Sequence, residues 1–366
     1  MEITANFDGG NVIIDEVKGP SASLRIRPDS NAPFFQWFYF RVEGVAGETR
    51  RFAISNAAQA SYPGAWPRYR VLASADHINW QRLPTNYMNG VLTFTHENAP
   101  ETASYAFFVP YPETRRRALL TVATGTPGVE RRSIGRTVHD RSLDMLVFGE
   151  ETGGERIWVI ARQHAGEPMA EWAAEGLVRR LLDQDDEVAT ELKAKTTISV
   201  IPNANPDGSA LGNLRANAEG VDLNRDWKEA ASASPEVAAI KRAVEHDGVD
   251  YFIDLHGDET RPYIWIVPSA VHLDPAAARK ALHFVLELAR LQPELQPPPV
   301  GIEGEDAAEA GMSVNYIATS FGCPAWTLEL PFPEVPGFGD SLLADGCMRF
   351  GRSCIEALNV VVGSGK

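Results

Sequence analysis

His164 and Glu167 stand three residues apart, and His256 follows 89 residues after Glu167, at the end of the apolar run Val249-Asp-Tyr-Phe-Ile-Asp-Leu-His256. Two imidazoles and one carboxylate are a common ligand set for a catalytic zinc. Structural zinc sites usually close with four ligands, mostly thiolates, whereas three leave a position open for water. Each piece taken alone also has a plain reading. His164 and Glu167 fit a surface histidine and a helix-start carboxylate that favours the dipole. His256 fits a buried histidine bonded to backbone, and Asp254 a buried acid or one that orients a ligand.

Four further residues sharpen the chemistry. The segment Arg215-Ala-Asn-Ala-Glu-Gly-Val-Asp-Leu-Asn224-Arg225 carries two guanidinium groups and, beside the second, the Asn224 amide. A guanidinium is a planar fork that binds a carboxylate bidentately, which suits Arg225, and Asn224 beside it donates through its amide. Arg215 offers a donor for a developing oxyanion. A loop with surface ion pairs would share this composition. Glu329 lies within Pro324-Ala-Trp-Thr-Leu-Glu329-Leu-Pro331. A carboxylate in an apolar strand is costly unless paired or functional. Burial raises its pKa, which suits a general base next to a metal-bound water; the alternative is a strand-end glutamate facing solvent.

These residues need a scaffold that brings them together, and the pattern from about residue 118 supplies one. Strands are expected at 157–163, 197–202, 251–255, 263–267 and 326–330, and helices at 168–182, 235–246, 275–291 and 342–358. Pro168 fits the first helical position, and Met169, Trp172, Ala173, Leu177 and Leu181 fall on one helix face. Such alternation predicts an α/β fold, a mainly parallel mixed sheet covered by helices. In such sheets ligands bind outside the carboxyl ends of the strands. His164 follows one strand, Asn203-Ala-Asn-Pro-Asp-Gly208 follows another, His256 closes a third and Glu329 lies near the end of a fourth.

Residues 1 to about 115 read as all-β, with short apolar and aromatic runs between turn residues, such as Gln36-Trp-Phe-Tyr-Phe-Arg-Val42 and Val91-Leu-Thr-Phe-Thr95. This predicts a β-sandwich domain at 1–115, its aromatic strands forming core and interface, followed after Pro110 and Pro112 by the α/β domain at 116–366.

Composition excludes several classes. The chain has 366 residues and a formal charge of −15, with a net of +1 in residues 1–120 and −16 in the rest. An acidic chain without a basic tract argues against nucleic acid. No run of about 18 apolar residues offers a membrane-spanning helix. The start lacks a basic segment and an apolar stretch of the secretory type. Cys323, Cys347 and Cys354 form neither a disulfide framework nor a zinc cluster and read as small core hydrophobes. Cytoplasm is the expected compartment.

The ensemble resembles the zinc carboxypeptidases of the carboxypeptidase A type. His-x-x-Glu, Asn-Pro-Asp-Gly, Asp-Leu-Asn-Arg, a later His after a strand and Glu within Thr-Leu-Glu-Leu occur in that family's order over roughly residues 120–360. Phe7-Asp-Gly-Gly-Asn11, Leu24-Arg-Ile-Arg-Pro28 and the Gln36–Val42 run resemble the β-domain of the cytosolic carboxypeptidase branch. The resemblance implies one zinc ion per chain held by His164, Glu167 and His256. It implies Glu329 as general base and acid, and Arg215 as the group polarising the scissile carbonyl. Asn224 and Arg225 would hold the terminal carboxylate of a peptide or protein tail. Digestive members carry an arginine just before the ligand glutamate, where this chain has Gly166; the cytosolic branch shares that absence. The family's substrate-capping tyrosine has no secure counterpart: Tyr316 is too close to Glu329 in sequence. Val314 or its neighbours would line the specificity pocket. An amidohydrolase of the same fold, acting on N-acyl amino acids or cell-wall peptides, needs the same zinc and carboxylate clamp and is the alternative.

Overall fold

Alternating burial builds the first hundred residues. A computed structural model describes residues 1–149, 154–228, 232–296 and 311–362. Its first strands are β1 (Glu2–Thr4), β2 (Ile13–Lys18), β3 (Ser21–Arg25), β4 (Tyr39–Glu43), β5 (Arg50–Ile54), β6 (Leu72–Ser74), β7 (Gln81–Arg82), β8 (Thr85–Met88), β9 (Val91–His96) and β10 (Thr102–Ala106). They form two five-stranded sheets, β1-β4-β10-β6-β7 and β2-β3-β5-β9-β8. Because side chains alternate along a strand, Phe52 and Ile54 of β5 and Leu92 and Phe94 of β9 point into the same interior. There Tyr105 of the first sheet meets Phe52 of the second at 4.8 Å and Phe40 at 5.3 Å, so the aromatic runs join the two sheets. Two 3-10 turns, Ala57–Gln59 and Pro63–Arg68, lie between β5 and β6. Trp66 is buried in the second and donates its indole N–H to the Ala57 carbonyl at 2.8 Å. Tyr62 immediately precedes that turn.

Helix α1 (Glu113–Thr124) runs through the 115/116 position. Beyond it come β11 (Val129–Arg136), β12 (Ser142–Phe148), β13 (Glu155–Ala161), α2 (Pro168–Leu182), α3 (Glu187–Lys193), β14 (Thr196–Ile201), α4 (Pro206–Leu211), α5 (Pro235–Asp247), β15 (Tyr251–Asp258), β16 (Trp265–Pro268), α6 (Pro275–Leu291), α7 (Ser313–Phe321), β17 (Ala325–Pro331) and α8 (Ala344–Val361). The seven-stranded sheet has the order β11-β12-β14-β13-β15-β17-β16. Its four central strands, β14, β13, β15 and β17, are parallel, and the flanking pairs are antiparallel. From β13 the chain winds one way to β14 and the other way to β15, so the topological switch lies at β13/β15, where a crevice opens outside the strand ends.

The expected helices at 168–182 and 275–291 coincide with α2 and α6. Two strands of this sheet were not anticipated. β11 (VERRSIGR) is a polar edge strand, and charged residues are how such edges avoid pairing with other chains. β12 is interrupted by Asp144, which is buried and held by Arg131 at 2.9 Å and Arg116 at 3.4 Å. Within the sheet, Ile157, Val159 and Ala161 pack toward the cluster shared with α2 and α8, and Trp158 and Ile160 toward the opposite cluster. Asp254, His256 and Glu329 take the positions facing away from Leu255, Leu328 and Leu330.

One hydrophobic cluster continues from the sandwich into this sheet. Its bridge is Phe332, stacked on Phe107 at 4.5 Å and edge-on to Phe108 at 5.7 Å. The three cysteines are buried as core residues, and burial pushes the Cys323 thiol up to about 12. No helix among the described residues is long and apolar enough to cross a membrane.

Removing the bridging ring tests this continuity. Phe332→Ala leaves a cavity at full burial and should lower unfolding free energy by about 3–5 kcal/mol, read from denaturant melts. A change below about 1 kcal/mol would mean that the two sheets do not depend on that contact.

Candidate active site

The turn after β13 sets the first two site residues. Arg162 adopts φ +59°, a left-handed conformation that is unusual for a side chain of this size. Its guanidinium over-determines the turn, donating to Ala165 O at 2.9 Å, Tyr111 O at 3.2 Å and the Glu171 carboxylate at 2.7 Å. The chain then passes His164 and reaches Glu167, the N-cap residue of α2, with Pro168 at the first helical position. A side chain at this position commonly caps the helix amides. Glu167 makes no such cap bond, because its carboxylate is engaged elsewhere.

It is engaged with the two histidines. His164 Nδ1 lies 2.8 Å from Glu167 Oε1, His256 Nδ1 lies 2.9 Å from Glu167 Oε2, and the two Nδ1 atoms are 3.2 Å apart. The Gly257 amide donates to Glu167 Oε2 at 3.0 Å. All three residues are buried, and among the described residues they form the one cluster of three or more possible metal ligands. β15 runs on to Asp258, so His256 lies inside the strand rather than at its last residue.

The far side of each ring faces a carboxylate. His164 Nε2 is 3.1 Å from Asp222 Oδ1, and His256 Nε2 is 3.0 Å from Asp254 Oδ2. Asp254 is itself fixed by Gln163 Nε2 and Ser313 Oγ, each at 2.5 Å, and Gln163 in turn accepts from the Trp227 indole at 2.9 Å. Carboxylates behind histidines are the usual way to set the tautomer of a metal ligand. Asp254 thus takes the orienting place considered for it in the sequence, and Asp222 takes one that the sequence did not single out.

This donor set fits zinc. With each Nε2–H directed at its carboxylate, both Nδ1 lone pairs and the Glu167 oxygens converge as acceptors with no donor among the three side chains. A cation resolves that conflict, and two nitrogens with one oxygen match the ligand preference of zinc. Burial lowers the His256 pKa, but Asp254 and Glu167 outweigh it and hold the group well above its ordinary value. Burial raises Glu167, yet His164 and His256 bring it down to about 2.

Glu329 sits beside this centre. It pairs with His256 in the parallel β15/β17 register, so both side chains leave the sheet on the same face. It is half-buried, and its Oε2 is buried without a hydrogen-bond partner. Loss of hydration, opposed by His256 and reinforced by Glu167, Asp258 and Asp254, pushes its carboxyl up to about 8.

Arg215 reaches the same place from the loop after α4. Its Nε donates to Asp222 Oδ2 at 2.5 Å and its Nη1 to the Tyr62 hydroxyl at 2.7 Å. Asp222 therefore links the arginine to His164. Asn224 is buried; its Nδ2 lies 3.3 Å from His256 Nε2 and its Oδ1 accepts from the Ser313 amide at 2.9 Å. Arg225 is half-buried and donates to the Asn224 carbonyl at 2.9 Å. Gly166 has a local cause: a Cβ there would lie 2.8 Å from the Leu214 carbonyl oxygen, so the Arg215 loop occupies the space of a side chain. Tyr316 stays outside the site, as its spacing to Glu329 implied, and the reading of Val314 changes. Tyr316 turns its hydroxyl to Glu245 at 2.8 Å, against Lys241 and Trp227, and is no part of this cluster. Val314 is buried in the apolar cluster that contains Trp227, so it is core rather than pocket wall. Its neighbour Ser313 is the residue of α7 that touches the site.

A triad of N and O donors at the switch point of an α/β sheet is the layout of a metal-dependent hydrolase. Comparison with known proteins narrows the class. Residues 3–108 match the cytosolic carboxypeptidase N-terminal domain, and residues 117–338 match the zinc carboxypeptidase family. The chain therefore belongs to the zinc carboxypeptidases, with an N-terminal domain of the cytosolic carboxypeptidase kind. A metallo-carboxypeptidase of known structure from Burkholderia cenocepacia is 36% identical, with a TM-score of 0.93 over 98% of each chain. The metallo-carboxypeptidase from Pseudomonas aeruginosa, solved in complex with (2-guanidinoethylmercapto)succinic acid, is 36% identical, with a TM-score of 0.92 over 98% of each chain. Cytosolic carboxypeptidase 6 of Caenorhabditis elegans is 26% identical over 90% of this chain and 78% of its own.

The raised pKa of His256 makes a signed prediction. A histidine with a raised pKa is charged below that pKa, so zinc must displace its proton. Calorimetric titration at pH 7 in buffers of different ionisation enthalpy should show release of about one proton per zinc. Asp222→Asn should weaken zinc binding by about 10–100-fold. Zinc uptake without proton release would contradict the charge state assigned to His256.

Proposed function

We propose that this chain hydrolyses the C-terminal peptide bond of peptides or protein tails in the cytoplasm, with a zinc ion held by His164, Glu167 and His256. Zinc, when bound, supplies a Lewis acid and lowers the pKa of water. The observation that carries the reading is Glu329: a carboxyl with an unpartnered buried oxygen, in register with a metal-ligand histidine and pushed toward neutral pKa by burial. The bound zinc would pull that pKa down from its metal-free value, toward the range of a base at neutral pH.

The chain's residues then divide the work. Glu329 accepts a proton from the attacking water as the new C–O bond forms. The carbonyl oxygen gains charge, and Arg215 donates to it. As the C–N bond breaks, Glu329 returns the proton to the departing amine. Arg225 and Asn224 hold the substrate's terminal carboxylate; His256 Nε2, itself donating to Asp254, does not accept from the Asn224 amide 3.3 Å away. The complex of the Pseudomonas relative with a succinic acid derivative supports a site that accepts carboxylates.

Within this reading residues 1–115 are the β-sandwich unit and 116–366 the catalytic unit. The separate family matches at 3–108 and 117–338 support the division.

Glu329→Gln keeps the shape and removes the base. Its turnover of a peptide substrate should fall by about 10³-fold or more, with zinc content unchanged by elemental analysis. Turnover within a few-fold of wild type in a zinc-replete sample would end the assignment of Glu329.

A further inference from the structure

The loop that carries Arg215 is held from outside the α/β sheet. Between α4 and the 3-10 turn Leu223–Arg225, residues 212–222 contain no helix or strand. Much of their fixation comes from the sandwich. The Asn11 side-chain amide donates to the Gly212 carbonyl at 2.8 Å, the Ser30 amide to Asn213 Oδ1 at 3.0 Å, and the Asn31 side-chain amide to the Ala218 carbonyl at 3.1 Å. Gly212, at φ +70°, lies so close that a Cβ would meet the Gly10 carbonyl oxygen at 2.6 Å.

Two contacts bear on Arg215 itself. The Asp29 carboxylate accepts three consecutive amides: Leu214 N at 2.5 Å on Oδ1, and Arg215 N at 2.7 Å and Ala216 N at 2.8 Å on Oδ2. Asp29 is only 5% exposed, so this bond set is shielded from competing water. Three amides aimed at one point cannot be satisfied by a neutral side chain as they are by a carboxylate, and bonds to a charged acceptor are the strong ones. The second contact is the Tyr62 hydroxyl, which accepts from Nη1 while Asp222 takes Nε. Nη2 makes no hydrogen bond among the described residues and is left for a ligand oxygen. Phe34, also in the sandwich, lies under the guanidinium at 5.7 Å from ring centre to Cζ.

We propose that Asp29 and Tyr62 are positioning residues of the active site: the β-sandwich, through its Asp29 carboxylate and Tyr62 hydroxyl, aims the Arg215 guanidinium into the cleft. The sandwich is then part of the catalytic apparatus and not only a wall beside it. This rests on the reading that Arg215 meets the carbonyl oxygen as it becomes anionic. A donor so placed is worth about 10²–10³ in kcat, and a shift of about 1 Å in its position can remove a factor near 10².

The test is a double-mutant cycle in the full, zinc-loaded chain. Asp29→Asn and Tyr62→Phe are each made alone and with Arg215→Ala. Each single variant should lose about 10–100-fold in kcat, with KM within about threefold and zinc content unchanged. With Arg215 already replaced, neither should cost anything further, because both act through that side chain. Hydrogen exchange adds a reading independent of activity. Asp29→Asn should speed exchange in the segment 212–218, which contains the three amides it releases. Wild-type kcat in both single variants would overturn the proposal, as would equal losses with and without Arg215. Should Asp29→Asn fail to fold, Tyr62→Phe carries the cycle alone. If Arg215→Ala itself keeps full kcat, the arginine's role falls, and exchange rates still decide whether Asp29 fixes the loop.

Discussion

Three acceptors held against one another are the constraint on which the rest of the site depends. His164, Glu167 and His256 put two imidazole lone pairs and a carboxylate at one point, with nitrogens 3.2 Å apart. That arrangement is unfavourable until a cation enters, and the fold supplies what holds it ready. Adjacent parallel strands bring the two histidines together, the strained Arg162 turn aims the first, and Asp222 and Asp254 fix the rings from behind. Arg162 and Asp254 are buried and Asp222 is half-buried, and each bonds to protein groups, so relaxing one would expose unpaired polar atoms at a cost of about 1–3 kcal/mol each. The same burial that makes the centre costly without a metal raises the pKa of Glu329 beside it.

A second constraint concerns charge at a distance from the metal. Asp222 touches both His164 and Arg215, and with burial opposing them, those two partners hold its carboxyl well below the usual range. The candidate ligand triad and Arg215 are therefore not independent. The sandwich enters at this point, because Asp29 and Tyr62 grip the arginine loop from the other side. The continuous core through Phe107 and Phe332 gives that grip a rigid base. The β-sheets and the α/β sheet share one hydrophobic cluster even though their sequences read as different fold classes.

Much of the centre was legible in the sequence because it obeys one rule, that functional side chains gather at the carboxyl ends of parallel strands. His164, Glu167, His256 and Glu329 could each be placed by the apolar strand before or around them, and α2 by Pro168 and its apolar stripe. What could not be read depends on contacts between residues far apart in the chain. Nothing local to Asp29 says that it will accept amides from residues 214–216, and nothing local to Tyr62 ties it to Arg215. Asp222 stood in a recognised motif, yet its orienting place behind His164 appears only once the loop is folded. β11 and β12 hid because an edge strand carries charges and a buried Asp144 breaks the apolar run. Val314 was placed near the pocket by its sequence position, but a helix places side chains by angle, and α7 turns it into the apolar cluster around Trp227.

The most direct measurement is mass spectrometry of peptides that differ only in their last residue, incubated with zinc-loaded protein in ¹⁸O-labelled water. The account predicts loss of a single C-terminal residue and label in the new terminal carboxylate, because the attacking oxygen comes from water. Intact peptides, with zinc confirmed bound, alongside hydrolysis of N-acyl amino acids would contradict it and assign the same residues to an amidohydrolase.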